Sequence, residues 1–156
     1  MGRKAFFACA LVAATLLSNG TSFGAQQFGT ADEARAMLER GIAALKADES
    51  SALKAFNDEN DKQFRDHDLF VFCFSIANGT FTAYQSPVLL GADVRELKLQ
   101  ADPVGQRAYD AAHDAADGSI VSIEFNFPKA GSKGPVPKVS LETRVGDEGC
   151  GVSYYK

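Results

Sequence analysis

Positive charge is in short supply in this chain: sixteen Lys and Arg stand against twenty Asp and Glu, a net charge of −4 over 156 residues. No basic field is available to hold a phosphate backbone, so nucleic acid is not an expected partner. Histidine is scarcer. His67 and His113 are the two, with no spacing that joins them into a metal site. The sequence also lacks a Gly-x-Ser-x-Gly elbow, a His-Glu-x-x-His helix, a Walker loop and a Rossmann glycine triplet. Nothing in it supplies a nucleophile, a base and an orienting group together, so the chain does not read as an enzyme and no cofactor is expected. What remains, 46% hydrophobic and 23% charged with twelve Phe and no Trp, fits one globular domain of ordinary composition.

The N-terminus is different in kind. Arg3 and Lys4 precede an apolar run from Ala5 to Leu17, followed by small and polar residues ending Ser22-Phe23-Gly24-Ala25. That pattern is a secretory signal peptide over residues 1–25, because the thirteen-residue run falls short of the ~20 needed to cross a bilayer. Cleavage is expected after Gly24 or Ala25. Cys9 has too little apolar sequence before it for a lipid anchor and reads as filler of the run. The mature domain, residues 26–156, then carries fourteen basic and twenty acidic side chains, a net charge of −6. The expected location is the periplasm or the exterior. Two cysteines survive processing, Cys73 and Cys150, and an even count in an oxidising compartment favours a disulfide, with two buried thiols as the alternative.

Along the mature chain, Thr30 and Glu33 form a capping box ahead of Ala34, Met37, Leu38, Ile42 and Leu45 at helical spacing, which predicts a long helix with one buried face. Asp48 to Ser51 breaks it and offers a new N-cap for Ala52 to Phe56. Asn57 to Asp68 reads as a loop, in which Asp66-His67-Asp68 is a solvated charge run rather than a cation site. Leu69 to Ile76 is apolar on both alternating faces, as in a central strand. Asn78-Gly79 predicts a type I′ hairpin turn, which also accounts for the glycosylation sequon Asn78-Gly79-Thr80, and Thr80 to Gln85 pairs back. Residues 86–102 form a long loop with a short helical turn at Val94 to Leu97. A helix follows Asp102-Pro103 and ends by Asp117-Gly118, with His113 and Asp114 an exposed pair on it. Strands at Ser119 to Phe127, Lys138 to Val145 and Cys150 to Tyr155 complete the chain, the Gly131 to Pro137 segment being a hairpin loop. The fold class expected is α+β, a long N-terminal helix packed on a five-stranded antiparallel sheet.

Set together, Leu69 to Ile76, Asn78-Gly79-Thr80, Leu90-Gly91-Ala92-Asp93-Val94-Arg95-Glu96-Leu97, Pro135 to Asp147 and Cys150-Gly151-Val152-Ser153-Tyr154-Tyr155-Lys156 resemble a single Cache domain. The chain is similar to the stand-alone secreted proteins of the second single-Cache subfamily over residues 28–156. It departs from their pattern at Tyr84-Gln85-Ser86-Pro87, where relatives often carry His-Pro, and at Ser153, which replaces a usual glycine. The resemblance implies a PAS-like extracytoplasmic sensor in which the first and last strands are neighbours, bringing Cys73 beside Cys150. It also implies a small ligand, such as a short carboxylate or amino acid, held between the sheet and the loops after the second strand.

The residues give that site a partial chemical account. Lys138 and Arg144 share the polar parity of one strand and could pair with an anion, while Tyr84 and Tyr109 offer hydroxyl donors. The competing reading is a solvated face on which Glu124 and Glu142 neutralise the two cations. Phe125 falls on the opposite parity, as core, and Phe70, Phe72 and Phe74, on one face of a strand, read as core packing, with an aromatic pocket as the alternative. The expected partners are a small, preferably anionic, molecule and either a separate membrane receptor or a second copy docked through the N-terminal helix, because the chain ends at Lys156 directly after its last strand. The alternative is a periplasmic structural or interaction protein with no small-molecule ligand.

Overall fold

Residues 28–156 are described in a computed structural model of the chain, and the expected signal segment with its cleavage point lies outside them. The Thr30 hydroxyl accepts from Glu33 N at 3.2 Å while the Glu33 carboxylate accepts from Thr30 N at 2.7 Å, and this reciprocal cap starts α1, Ala31–Ala47. Ala34, Met37, Leu38, Gly41 and Leu45 form its buried stripe. Asp48 ends α1 and caps α2, Glu49–Asn57, by accepting from Ser51 N at 2.9 Å.

The expected strand over Leu69 to Ile76 is two pieces. A short hairpin pairs β1, Arg65–Asp66, with β2, Leu69–Phe70. The Val71 N–H then donates to the Phe64 carbonyl, and only from β3, Phe72–Ser75, does the chain join the main sheet. The turn after β3 also differs from the type I′ form. Gly79 alone takes positive φ, +77°, while the Ser75 carbonyl accepts from Gly79 N at 2.8 Å. This longer Ile76–Gly79 loop needs one left-handed residue where a two-residue turn needs two.

Strand β4, Phe81–Ala83, leads into 3₁₀ turns at Pro87–Leu89 and Val94–Glu96 and then α3, Val104–Asp114. The chain closes with β5 (Ile120–Pro128), β6 (Pro135–Val145) and β7 (Glu148–Tyr155). The five-stranded sheet has the order β4-β3-β7-β6-β5, antiparallel throughout, so the first and last of its strands lie side by side. Pro135 and Pro137 belong to β6 rather than to the loop. The Pro137 carbonyl accepts from Lys156 N, so its nitrogen faces the β7 side, beyond the last β7 partner, where no donor is missed.

Both faces of this sheet are covered. Against α1 and α2 pack Val71, Cys73, Val139, Leu141 and Val152, the larger core. Phe72, Phe74 and Phe81 lie on the other face, under α3 and the 84–102 segment. Cys73 and Cys150 are directly opposed on β3 and β7, with Cα atoms 4.1 Å apart, and form a disulfide. Among the described residues no helix is long and apolar enough to cross a membrane.

Candidate functional site

The motif residues of the Leu90 to Leu97 segment lock the second layer in place. Asp93 accepts from Arg95 N at 2.9 Å and pairs with the Arg95 guanidinium, which donates onward to the Asn78 carbonyl at 2.8 Å. The same guanidinium lies 5.1 Å over the Tyr109 ring, tying hairpin, 3₁₀ turn and α3 together. These residues hold a roof above the sheet.

Beneath that roof lies a cavity of about 540 Å³. Its walls are largely aromatic: Phe70, Phe72 and Tyr84 on one side, Phe125 and Phe127 of β5 on the other, and Tyr155 of β7. Val104, Gly105 and Ala108 present the apolar side of α3 to it. Its polar floor comes from alternate residues of β6, Lys138, Ser140 and Glu142, with Ser153 beside Ser140 on β7.

The register decides this composition. Phe125 is paired with Lys138 and Ile123 with Ser140, so the apolar parity of β5 and the polar parity of β6 share one face. This corrects the expectation that Phe125 falls on the opposite parity from Lys138, as core: the two side chains share the cavity face. The polar face of β6 is also not solvated: Lys138 is 8% exposed, Ser140 2% and Glu142 0%. Glu124 pairs with Lys156 instead of neutralising Lys138. Phe74 is fully buried packing, whereas Phe70 and Phe72 line the cavity.

Of the four residues expected to bind a ligand, Tyr84 and Lys138 line the cavity, and Tyr109 and Arg144 do not. The Tyr109 hydroxyl donates to the Ile76 carbonyl at 2.6 Å, and its ring stacks on His113. Arg144 sits at the β6–β7 turn, where its Nε donates to the Gly146 carbonyl at 3.0 Å. The Lys138 ammonium lies 4.3 Å from the Tyr155 ring centroid, 5.1 Å from that of Phe127, and 3.9 Å from Asp68 Oδ2. Burial lowers the pKa of Lys138, and Asp68 opposes the shift. Burial raises the Tyr84 and Tyr155 phenols, so both remain neutral donors.

Sequence reasoning missed Asp68, Ser140, Glu142 and Ser153. Asp68 closes the charge run taken as solvated; its Oδ1 accepts from Gly29 N at 2.8 Å, which turns its other oxygen toward Lys138. Glu142 is the larger surprise. It is fully buried, and its pKa rises to about 8 because burial disfavours the charged form. The nearby Ser140 hydroxyl draws that value back without completing a hydrogen bond to either carboxyl oxygen. Gly151, its cross-strand partner, has no room for a side chain: a Cβ there would lie 2.5 Å from the Phe72 ring and 2.6 Å from Glu142 Oε2. Cys73, Glu148 and Cys150 are clustered closely enough for a metal, but the two sulfurs are joined to each other.

No family model and no curated protein matches the chain. Solved structures do. A methyl-accepting chemotaxis protein from Vibrio parahaemolyticus RIMD 2210633 is 20% identical and superposes with a TM-score of 0.59, over 80% of this chain and 86% of that one. A periplasmic sensor domain of a chemotaxis protein is 18% identical, with a TM-score of 0.53 over 80% and 88% of the two chains. A Cache chemosensory domain, whose structure gives a basis for carboxylic acid recognition, is 16% identical with a TM-score of 0.51 over 76% and 81%. At these identities the likeness establishes the fold, a single Cache-like domain of the PAS-like α+β class.

Proposed function

We infer that this Cache-fold chain is an exported, extracytoplasmic sensor module that binds a small carboxylate or amino acid, with Lys138 supplying the charge and Tyr84 a hydroxyl donor. The carrying observation is the buried Lys138 ammonium, held beside the Phe127 and Tyr155 rings on the polar floor of a cavity whose walls are largely aromatic. A desolvated cation of this kind recruits an anion strongly, because a charge-assisted hydrogen bond is not diluted by water. The volume lies within the range of about 300–1,000 Å³ usual for small-molecule sites. The fold shared with chemotaxis sensor domains supports the same reading. The stand-alone form of the second single-Cache subfamily, a cleaved signal segment and signalling through a separate membrane receptor or a second copy belong to this proposal.

A thermal-shift screen of small carboxylates, amino acids and amines tests it. A ligand that prefers the folded state raises the transition temperature, by about 5 °C at saturation for a domain of this size. The reading expects carboxylates among the stabilisers. Stabilisation by none of them returns the chain to the structural or interaction class.

A further inference from the structure

Glu142 is more than a floor residue. It lines the cavity with no solvent exposure, and neither carboxyl oxygen has a hydrogen-bond partner among the described residues. Buried polar atoms are nearly always satisfied, so an unpartnered carboxyl on a residue that lines a cavity marks a place where an occupant can complete the bonding. The charges around it identify the occupant. Lys138 already faces Asp68 across 3.9 Å, α3 and β5 present only apolar side chains, and the phenols of Tyr84 and Tyr155 are neutral. One acid is left without a cation.

We propose that Glu142, flanked by Ser140 and Ser153, forms a second polar subsite that takes a primary ammonium group, so that the preferred ligand is an elongated zwitterion with its carboxylate at Lys138. This rests on the proposed function, since it places a second group of the same ligand. An ammonium brings three donors, matched here by two carboxyl oxygens and the Ser140 hydroxyl, whose own acceptance from Ser153 at 2.8 Å fixes its position.

The spacing sets the ligand's length. Lys138 and Glu142 are four residues apart on β6, about 13 Å of strand at ~3.3 Å per residue. The Lys138 ammonium leans further away, toward Phe127, which is paired with Val136. An α-amino acid carries both charges on neighbouring carbons and does not reach both groups. Binding also moves one proton: the ligand arrives as an ammonium and keeps its protons, while the Glu142 carboxyl, largely protonated at pH 7, releases its proton to solvent and becomes the carboxylate partner.

The test is calorimetry at pH 7 with hexanoate, 6-aminohexanoate and 2-aminohexanoate, in phosphate and in Tris. The proposal expects 6-aminohexanoate to bind about ten-fold or more tighter than hexanoate. Its apparent enthalpy should differ between the buffers by the release of nearly one proton, and 2-aminohexanoate should gain nothing. Glu142→Gln should remove the advantage and the buffer dependence, and leave hexanoate unchanged. Equal affinity for hexanoate and 6-aminohexanoate overturns the subsite, as does a buffer-independent enthalpy. An equal loss for both probes in Glu142→Gln does the same. Should that variant fail to fold, the two-buffer comparison on the native protein decides alone. Hexanoate binding that depends on Lys138 with no gain from the amine defeats this subsite and leaves the carboxylate site standing; no binding of any probe defeats both.

Discussion

Lys138 Nζ lies 3.9 Å from Asp68 Oδ2, an ion pair that joins the β1–β2 turn to β6 inside the cavity. On the proposed function, a ligand carboxylate is expected to compete with Asp68 for the ammonium. Asp68→Asn keeps the oxygen that accepts from Gly29 N and removes the competing charge. Carboxylate affinity is expected to rise by roughly three-fold or more, given Coulomb energies of about 4 kcal/mol at this separation before screening. Calorimetry at pH 6, chosen to favour the charged lysine, checks this, and weaker binding in the variant contradicts the competition.

The disulfide closes a 77-residue separation between β3 and β7. In the chain-entropy model a loop of that length is worth about 4 kcal/mol. Reduction, or Cys73→Ser paired with Cys150→Ser, should lower the urea midpoint by a corresponding amount. Thiol labelling of the unfolded, unreduced protein should find no reactive group at these two positions.

Glu142 makes stability depend on pH. Its folded pKa, about 8, lies above the ordinary 4.5, so the folded state holds a proton that the unfolded state loses. Its contribution is fully present below about pH 4.5 and is lost as pH rises through about 8, at no more than about 1.4 kcal/mol per pH unit. Glu148, also raised by burial, acts in the same sense in both proteins. Urea midpoints at pH 5 and pH 7.5 should therefore fall more steeply for the native protein than for Glu142→Gln, and parallel slopes would show that Glu142 does not titrate in this window.

Gly151 leaves its place to neighbours on both sides, the Phe72 ring and the Glu142 carboxyl, with the Leu141 carbonyl at 2.8 Å from any added Cβ. Gly151→Ala should destabilise by about 1–3 kcal/mol, the usual effect of overpacking a filled site. Because the displaced groups line the cavity, ligand affinity should fall as well. A variant of native stability would mean that the sheet opens there at little cost.

Much of this architecture is legible in the residues. The Thr30–Glu33 cap, the Asp48 break and the alternation of β5 and β6 carry local signals strong enough to specify helix, break and strand. The cavity is less legible, for one reason above others. Alternation says which residues share a parity, but not which parity of β5 meets which parity of β6, and the loop that pairs Phe125 with Lys138 places apolar and polar rows on one covered face. A buried Lys138-Ser140-Glu142 row reads as solvated until the roof of α3 and the 84–102 segment is known. Tyr109 and Arg144 carry donors that the carbonyls of Ile76 and Gly146 accept, and only the tertiary structure reveals those acceptors.

The proposed function puts the carboxylate of the ligand at Lys138. The most direct measurement is the affinity of the strongest-stabilising carboxylate for the native protein and for Lys138→Met, by calorimetry at one pH and salt concentration. Loss of a buried charge-assisted contact of roughly 1.5–3 kcal/mol predicts binding weakened about ten-fold or more, with the fold intact. Unchanged affinity in Lys138→Met contradicts the account.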